Sequence, residues 1–169
     1  PNGLQKLEAS LEFGGAVAPT PGAAADGAAI VFSCVGNDTD LLSVMLGENG
    51  VVSALQAGAV IVDHTTASAA VARELSALAA SRSVSFIDAP VSGGSIGAVN
   101  GTLTVMCGGD AAAFDLMRPV ALAYAKAVTR IGPSGAGQLA KMVNQTAIAG
   151  LLQGLSEAIA FGEKAGLDM

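Results

Sequence analysis

Hydrophobic positions along the chain switch repeatedly between the spacing of buried strands and the spacing of amphipathic helices. Apolar runs of strand length occur at residues 29–35, 60–63, 84–88, 102–107 and 128–131, with a shorter candidate at 16–18. Helical spacing occurs at residues 4–11, from 20, at 41–45, at 67–80 and from 111. Strands that alternate with helices in this way predict a doubly wound α/β domain, with a mostly parallel sheet covered on both faces.

The pattern changes from Gln138 onward, where no further strand follows. Apolar residues recur there at helical spacing, at Leu139, Met142, Val143, Ile148, Leu151, Leu152, Leu155, Ile159 and Phe161. A helix of roughly 25 residues would span ~40 Å, which is longer than the covering of one sheet requires. Gly166 fits the end of this helix, because glycine is common directly after a helix C-cap. The pattern predicts the first helix of a helical domain, whose apolar face must be covered by a partner chain or by further sequence.

Composition narrows the classes of function. The 169 residues are 51% hydrophobic, which allows a substantial buried core. No apolar run reaches the ~18 residues that a membrane span needs, so the sequence favours a cytoplasmic protein and no membrane partner. A formal net charge of −6 with 8 Lys and Arg opposes binding to nucleic acid. Cys34 and Cys107 lie in apolar runs without metal-ligand spacing, and we predict free, buried thiols and no metal site.

Two segments carry candidate chemistry: residues 88–94, with the sequence DAPVSGG, and residues 135–144, with the sequence GAGQLAKMVN. Ser92 can donate a hydrogen bond to a carboxylate or hydroxyl, and Gly93 and Gly94 expose amides without an obstructing Cβ. Lys141 and Asn144 are three residues apart and lie on one face of a helix. Together these groups suit the binding and protonation of a small oxygenated acid.

Each segment by itself also has a plainer interpretation. The first segment, taken alone, is more typical of a glycine turn at a strand end, and a lone lysine on a helix is most often solvated. The presence of both segments together favours the functional interpretation. A serine-hydrolase site is excluded, because His64 is the only histidine and no nucleophile-elbow sequence surrounds Ser92.

Two predicted strand ends are candidates for cofactor contacts. Val35 and Gly36 end one strand, and Thr65 and Thr66 follow the next. Open α/β sheets bind ligands beyond the carboxyl ends of their strands. Thr65 and Thr66 fit a helix N-cap before residue 67 equally well. We further predict that His64 is structural and that Asp110 caps the helix that follows it.

The sequence resembles the β-hydroxyacid dehydrogenases, the 3-hydroxyisobutyrate dehydrogenase and tartronate semialdehyde reductase group related to 6-phosphogluconate dehydrogenase. The resemblance rests on DHTT at 63–66, DAPVSGGSIGAVNGTLTVMCGGD at 88–110, GAGQLAKMVNQ at 135–145 and SEAIAFGEKAGLD at 156–168. It implies an incomplete Rossmann-like NAD(P)-binding domain at residues 1–133 and the start of a C-terminal helical dehydrogenase domain at 134–169.

The same resemblance implies an oxidoreductase that uses NAD or NADP, a small hydroxyacid or semialdehyde substrate, and a homo-oligomer formed through the helical domain. Lys141 would be the general acid/base, with Asn144 beside it binding the substrate or orienting the amine. Ser92, Gly93 and Gly94 would bind the substrate.

The chain departs from the family pattern at two places. It has no G-x-G-x-x-G loop: Gly93, Gly94 and Gly97 have the wrong spacing, and residues 132–137 carry the reversed order. Residues 4–13 resemble the family's second helix, so we expect the chain to be a fragment truncated at both ends and inactive by itself. Gln145 stands where the family often has asparagine, so the resemblance does not indicate which hydroxyacid is the substrate. The alternative is a non-catalytic dinucleotide- or protein-binding module on the same fold.

Overall fold

The computed structural model describes residues 14–169, which form a six-stranded sheet with helices on both faces, followed by one long helix. The strands are β1 (Ile30–Ser33), β2 (Val60–Asp63), β3 (Ser85–Asp88), β4 (Val91–Ser92), β5 (Leu103–Gly108) and β6 (Ala125–Gly132). The helices are α1 (Pro21–Ala25), α2 (Asp38–Leu46), α3 (Val51–Ala54), α4 (Ala69–Ala80), α5 (Gly94–Val99), α6 (Ala111–Ala121) and α7 (Ala136–Lys164).

The sheet is mostly parallel, as the alternation of strands and helices predicts. Its order is β1-β2-β3-β5-β4, with β6 paired to β5. The pairs β1–β2, β2–β3 and β5–β6 are parallel, whereas β5 is antiparallel to both β3 and β4. Ser33 lies opposite Asp63, and Asp63 lies opposite Asp88. The carboxyl ends of the first three strands therefore lie side by side and place polar side chains at one edge.

The central strand β2 separates two apolar clusters. Ile61 packs on one face with Leu41 and Leu75, whereas Val62 packs on the other with Met117. Alternate residues of a strand point to opposite faces, so a strand that is buried at every position requires cover on both sides. Helices α2, α3 and α4 cover one face, and α6 covers the other.

Several local predictions change. Residues 16–18 form no strand in the described part of the chain, and the predicted helix at 67–80 begins at Ala69. The helices α3 and α5 and the short strand β4 were not predicted, because their sequences carry glycines or too few residues to show a period. The helix predicted at residues 4–11 lies outside the described residues. Asp110 caps α6 as predicted, since its Oδ1 accepts the Ala113 N–H at 3.0 Å.

Helix α7 extends over 29 residues, close to the predicted length, and its last turn is followed by Gly166. The apolar residues of its predicted stripe are between 40% and 74% exposed. No helix in the described residues is long and apolar enough to span a membrane.

The first turn of α7 is buried against the carboxyl ends of the strands. The Gly135 N–H donates to Asp88 Oδ1 at 2.7 Å, and the Gln138 N–H donates to Asp88 Oδ2 at 3.0 Å. A carboxylate from a distant strand thus supplies acceptors for N–H groups that have no partner within the helix. A Cβ at Gly137 would meet the Met106 carbonyl oxygen and lie 2.6 Å from the Asp88 carbonyl oxygen. Only glycine allows this approach.

We predict opposite effects for two Gly→Ala substitutions in α7. Gly137→Ala should lower the free energy of unfolding by about 1–3 kcal/mol or more, because the added Cβ overlaps backbone atoms. Gly150→Ala has nothing within 4 Å of the new Cβ and should raise the free energy of unfolding by about 0.5–1 kcal/mol through helix propensity. Urea unfolding followed by circular dichroism compares the two. Equal effects would contradict the close approach at Gly137.

Candidate active site

The turns at the carboxyl ends of β1 and β2 are joined by a hydrogen-bonded chain. Ser33 Oγ and Thr65 Oγ1 both donate to Asp63 Oδ1 at 2.7 Å, and the Val35 N–H donates to Thr65 Oγ1 at 3.0 Å. The Thr65 side chain is buried and its proton is committed to Asp63, whereas Thr66 and Gly36 are exposed. The structure thus brings the predicted cofactor positions together, with Thr65 supporting the exposed pair.

The alternative that Thr65 or Thr66 caps the following helix is wrong. The N-cap of α4 is Ser68, whose Oγ accepts the Val71 N–H at 3.1 Å. The Ser68 N–H in turn donates to Asp38 Oδ1 at 2.8 Å, which attaches this cap to the start of α2.

Two buried carboxyl groups lie at this edge of the sheet. Burial raises the pKa of Asp63 above its usual range, and the hydrogen bonds from Ser33 and Thr65 oppose that rise. Asp63 Oδ2 has no hydrogen-bond partner among the described residues. Burial likewise raises the pKa of Asp88, and the N–H groups of Gly135 and Gln138 oppose it. Both carboxyl groups are therefore more easily protonated in the fold than in water.

His64 follows β2 at the same edge, and its ring contacts two other segments of the chain. Its Nδ1 lies 2.6 Å from the Ala89 carbonyl oxygen and its Nε2 lies 2.7 Å from the Tyr124 hydroxyl. A carbonyl oxygen only accepts, so the neutral ring carries its proton on Nδ1, and Nε2 accepts from tyrosine. Burial raises the pKa of Tyr124 to about 12, which keeps this donor protonated. The ring is fully bonded, in agreement with a structural role.

The two sequence segments that carry candidate chemistry meet at Lys141. Its Nζ donates to the Val91 carbonyl oxygen at 2.9 Å. Val91 and Ser92 form β4, which pairs with Val105 and Thr104 of β5. Because Ser92 directly follows Val91, the amine and the hydroxyl belong to one small region beside the first turns of α7.

Gly93 lies between β4 and α5, and Gly94 is the first residue of α5. Their φ angles are +128° and +61°, values that side chains other than glycine rarely adopt. A Cβ at Gly93 would approach Leu103 Cδ2 at 3.1 Å, whereas a Cβ at Gly94 would meet nothing within 4 Å. The backbone therefore adopts the glycine turn that the plainer interpretation predicts. The space beside Gly94 is open.

Asn144 lies one turn beyond Lys141 and is half-buried. Its Nδ2 atom is buried and has no hydrogen-bond partner in the part of the chain that the structure describes. An unpaired buried donor is unfavourable, and such groups often belong to functional sites. The carboxamide can therefore donate to an oxygen atom of a bound molecule.

Gln138 is a buried polar residue to which the sequence assigned no role. Its Nε2 donates to the Thr65 carbonyl oxygen at 2.7 Å, and its Oε1 accepts the Ala67 N–H at 3.1 Å. The only signal in the sequence is a glutamine just inside the predicted helix, three residues before Lys141. Sequence alone does not show which backbone it would meet.

Residues 3–132 match a protein-family model described as the NAD binding domain of 6-phosphogluconate dehydrogenase. The chain belongs to this family. Its carboxyl-end turns, buried carboxylates and first α7 turn are thus features of an NAD-binding domain and of the helix that follows it.

Relatives of this NAD-binding domain have oxidoreductase or dehydrogenase names. The chain is 57% identical over 157 residues to an uncharacterized oxidoreductase of Shewanella frigidimarina, covering 93% of the chain and 54% of the relative. It is 44% identical over 165 residues to the mitochondrial 3-hydroxyisobutyrate dehydrogenase-like 3 of Arabidopsis thaliana, covering 98% of the chain and 52% of the relative. The chain spans about half the length of the curated relatives it matches.

A solved structure has the same fold as this NAD-binding domain and its long helix. It is the Mycobacterium tuberculosis 3-hydroxyisobutyrate dehydrogenase with L-serine, with a TM-score of 0.90 and 32% identity. The match covers 99% of the chain and 56% of that structure. The doubly wound fold with a long C-terminal helix is therefore shared with a hydroxyacid dehydrogenase.

The cysteines of the NAD-binding domain differ in environment. Both are free, and Cys107 is buried as predicted, with burial raising its pKa to about 12. Cys34 is exposed, so the prediction of a buried thiol is wrong there, because the residue follows the last position of β1. No group of three or more potential metal ligands occurs in residues 14–169.

The raised pKa of Asp63 predicts a pH dependence of stability. A carboxyl whose pKa is raised by folding binds its proton more tightly in the folded state, so its contribution to stability declines as pH rises above its unfolded value of ~3.9. Asp63→Asn removes this titration. The stability of the unaltered chain relative to this variant should increase from pH 7 to pH 4, measured by urea unfolding. The exposed Asp115→Asn serves as the matched control. A relative loss of stability on acidification would contradict the prediction.

Proposed function

We propose that the full-length protein is an NAD(P)-dependent oxidoreductase that moves a hydride between NAD or NADP and a small 3-hydroxyacid or its semialdehyde. The observation that carries this proposal is the 2.9 Å hydrogen bond from Lys141 Nζ to the Val91 carbonyl oxygen. It brings an amine to the segment that holds Ser92, Gly93 and Gly94. The structural relative with L-serine, itself a small 3-hydroxyacid, supports this class of substrate.

Lys141 is the general acid/base of the proposed reaction. During reduction its ammonium group gives a proton to the carbonyl oxygen of the substrate, and during oxidation its amine removes the hydroxyl proton. The Val91 carbonyl oxygen accepts one Nζ–H and so fixes the direction of the amine. Two further Nζ positions remain for the substrate and solvent.

Asn144, Ser92 and the two glycines hold the substrate in this proposal. The unpaired Nδ2 of Asn144 donates to the reacting oxygen or to the carboxylate. The Ser92 hydroxyl and the amides of the Gly93–Gly94 turn donate to the carboxylate. Each group is on a regular element or a turn fixed by positive φ angles, which limits the freedom lost on binding.

The cofactor contacts that fit this chain are the exposed Gly36 and Thr66, with Val35 and Thr65 beneath them. They lie at the carboxyl ends of β1 and β2, where open α/β sheets bind ligands. The bound nicotinamide supplies or accepts the hydride. The hydrogen bond from the Val35 N–H to Thr65 Oγ1 holds both turns at a fixed separation.

We place the division between the cofactor domain and the helical domain at residues 133 and 134, just before α7. The exposed apolar stripe of α7 supports a homo-oligomer or further helices of the same protein as its cover, since such a surface is unfavourable in water. We also propose a cytoplasmic location, which agrees with two free cysteines.

We expect Lys141→Met to lower kcat of the full-length protein at least ~10²-fold on a responsive 3-hydroxyacid, because general acid–base catalysis contributes about that much or more. Lys126→Met, at an exposed position of β6, is the matched control and should retain activity. Steady-state absorbance of NADH or NADPH across a panel of 3-hydroxyacids measures both. Unchanged turnover in Lys141→Met would remove this lysine from the mechanism.

A non-catalytic dinucleotide- or protein-binding module is the competing proposal, and it assigns the exposed stripe of α7 to a partner protein. It predicts cofactor affinity without turnover on any hydroxyacid of the panel, in the full-length protein. For the 169 residues alone we propose weak or absent cofactor binding and no turnover. Micromolar affinity of this shorter chain for NADH or NADPH in calorimetric titration would contradict that expectation.

A further inference from the structure

Gln138 is held by three hydrogen bonds to two different segments. Its backbone N–H donates to Asp88 Oδ2 at 3.0 Å, its Nε2 donates to the Thr65 carbonyl oxygen at 2.7 Å, and its Oε1 accepts the Ala67 N–H at 3.1 Å. The residue is 1% exposed. Its carboxamide therefore pairs with the backbone of 65–67 as a neighbouring strand would.

These hydrogen bonds are part of a connected network of residues, here called the circuit, that surrounds the proposed site. Lys141 lies three residues after Gln138, hence on the same face of α7. Lys141 Nζ donates a hydrogen bond to the carbonyl oxygen of Val91, which follows Asp88 by three residues. Asp88 in turn accepts a hydrogen bond from the Gln138 N–H. Thr65 reaches the other cofactor turn through the Val35 N–H. Gln138 is the one residue in this circuit that contacts both the 65–67 turn and the strand end at Asp88.

We propose that Gln138 is a positioning residue, whose carboxamide fixes the separation between the Thr65–Thr66 turn and Lys141. The inference rests on the proposed function: the turn supports the nicotinamide side, and the lysine moves the proton. Hydride transfer and proton transfer must occur at the same substrate carbonyl. The Thr65–Thr66 turn and Lys141 must therefore be held at a fixed distance from each other. A displacement of about 1 Å at such a site can lower the rate ~10²-fold.

A glutamine with a merely structural role would affect stability without a specific effect on the chemical step. Two variants separate these roles. Gln138→Met is of similar length and loses both side-chain bonds. Gln138→Glu keeps an oxygen for the Ala67 N–H but places a second oxygen against the Thr65 carbonyl oxygen, which repels it when ionised. When protonated, the same group donates to Thr65 and restores the original pattern.

The experiment uses the full-length protein with its cofactor, well below the unfolding temperature of every variant. Leu75→Val, buried in the cluster under α4, is the control for lost stability, and the exposed Gln56→Met is the control for the substitution itself. The measurements are kcat, KM for cofactor and for hydroxyacid, and the isotope effect on kcat with hydroxyacid deuterated at the hydroxyl-bearing carbon.

We expect Gln138→Met to lower kcat about 10- to 100-fold and to raise the isotope effect, with a smaller change in KM for the hydroxyacid. Gln56→Met and Leu75→Val should retain kcat. The ratio of kcat for Gln138→Glu to that of the unaltered protein should rise as pH falls, because protonation restores the bond to Thr65.

Two results would overturn the inference alone: unaltered kcat in Gln138→Met, or a loss of kcat no larger than in Leu75→Val at equal loss of stability. If Gln138→Met does not fold, a pH-independent ratio for Gln138→Glu overturns it instead. An unaltered protein without turnover on any hydroxyacid overturns the proposed function, and this inference with it.

Discussion

The structure depends above all on the buried carboxylate of Asp88 at the N-terminus of α7. A helix that starts inside a protein leaves its first N–H groups without partners, and a carboxyl group buried at a strand end lacks water. The Asp88 carboxylate accepts hydrogen bonds from the N–H groups of Gly135 and Gln138, so each buried group provides the partner that the other lacks. The contact is close because Gly137 has no Cβ and lies against the backbone of Asp88 and Met106.

This contact determines where the lysine lies. Because the first turn of α7 is fixed at the carboxyl end of β3, the next turn brings Lys141 beside Val91, at the start of the segment that follows β3. The sheet reverses direction in the same place, where β5 runs antiparallel to β3 and β4. Residues from segments about 50 positions apart in the chain thereby meet at one edge of the sheet.

The polar groups at this edge differ in how fully they are paired. Thr65 Oγ1 donates to Asp63 and accepts from Val35, and the Gln138 carboxamide is bonded at both ends. Such paired groups rigidify the turns on which a site depends. Asn144 Nδ2 and Asp63 Oδ2 are buried without partners among the described residues. The paired groups hold the turns in place, whereas Asn144 retains an unpaired donor.

Periodicity alone predicted the order of the longer strands and helices, the mostly parallel sheet and the long helix, because buried faces impose spacings of 2 and 3.6 residues. It also placed Lys141 and Asn144 on one helix face. The short elements β4, α5 and α3 were not predicted, because about five residues are too few to show a period. Only the tertiary structure decided that Ser68 caps α4, that Cys34 is exposed, and that Gln138 meets Thr65 and Ala67. These outcomes depend on contacts between distant segments, and the local pattern of a sequence does not specify which distant backbone a buried polar side chain will find.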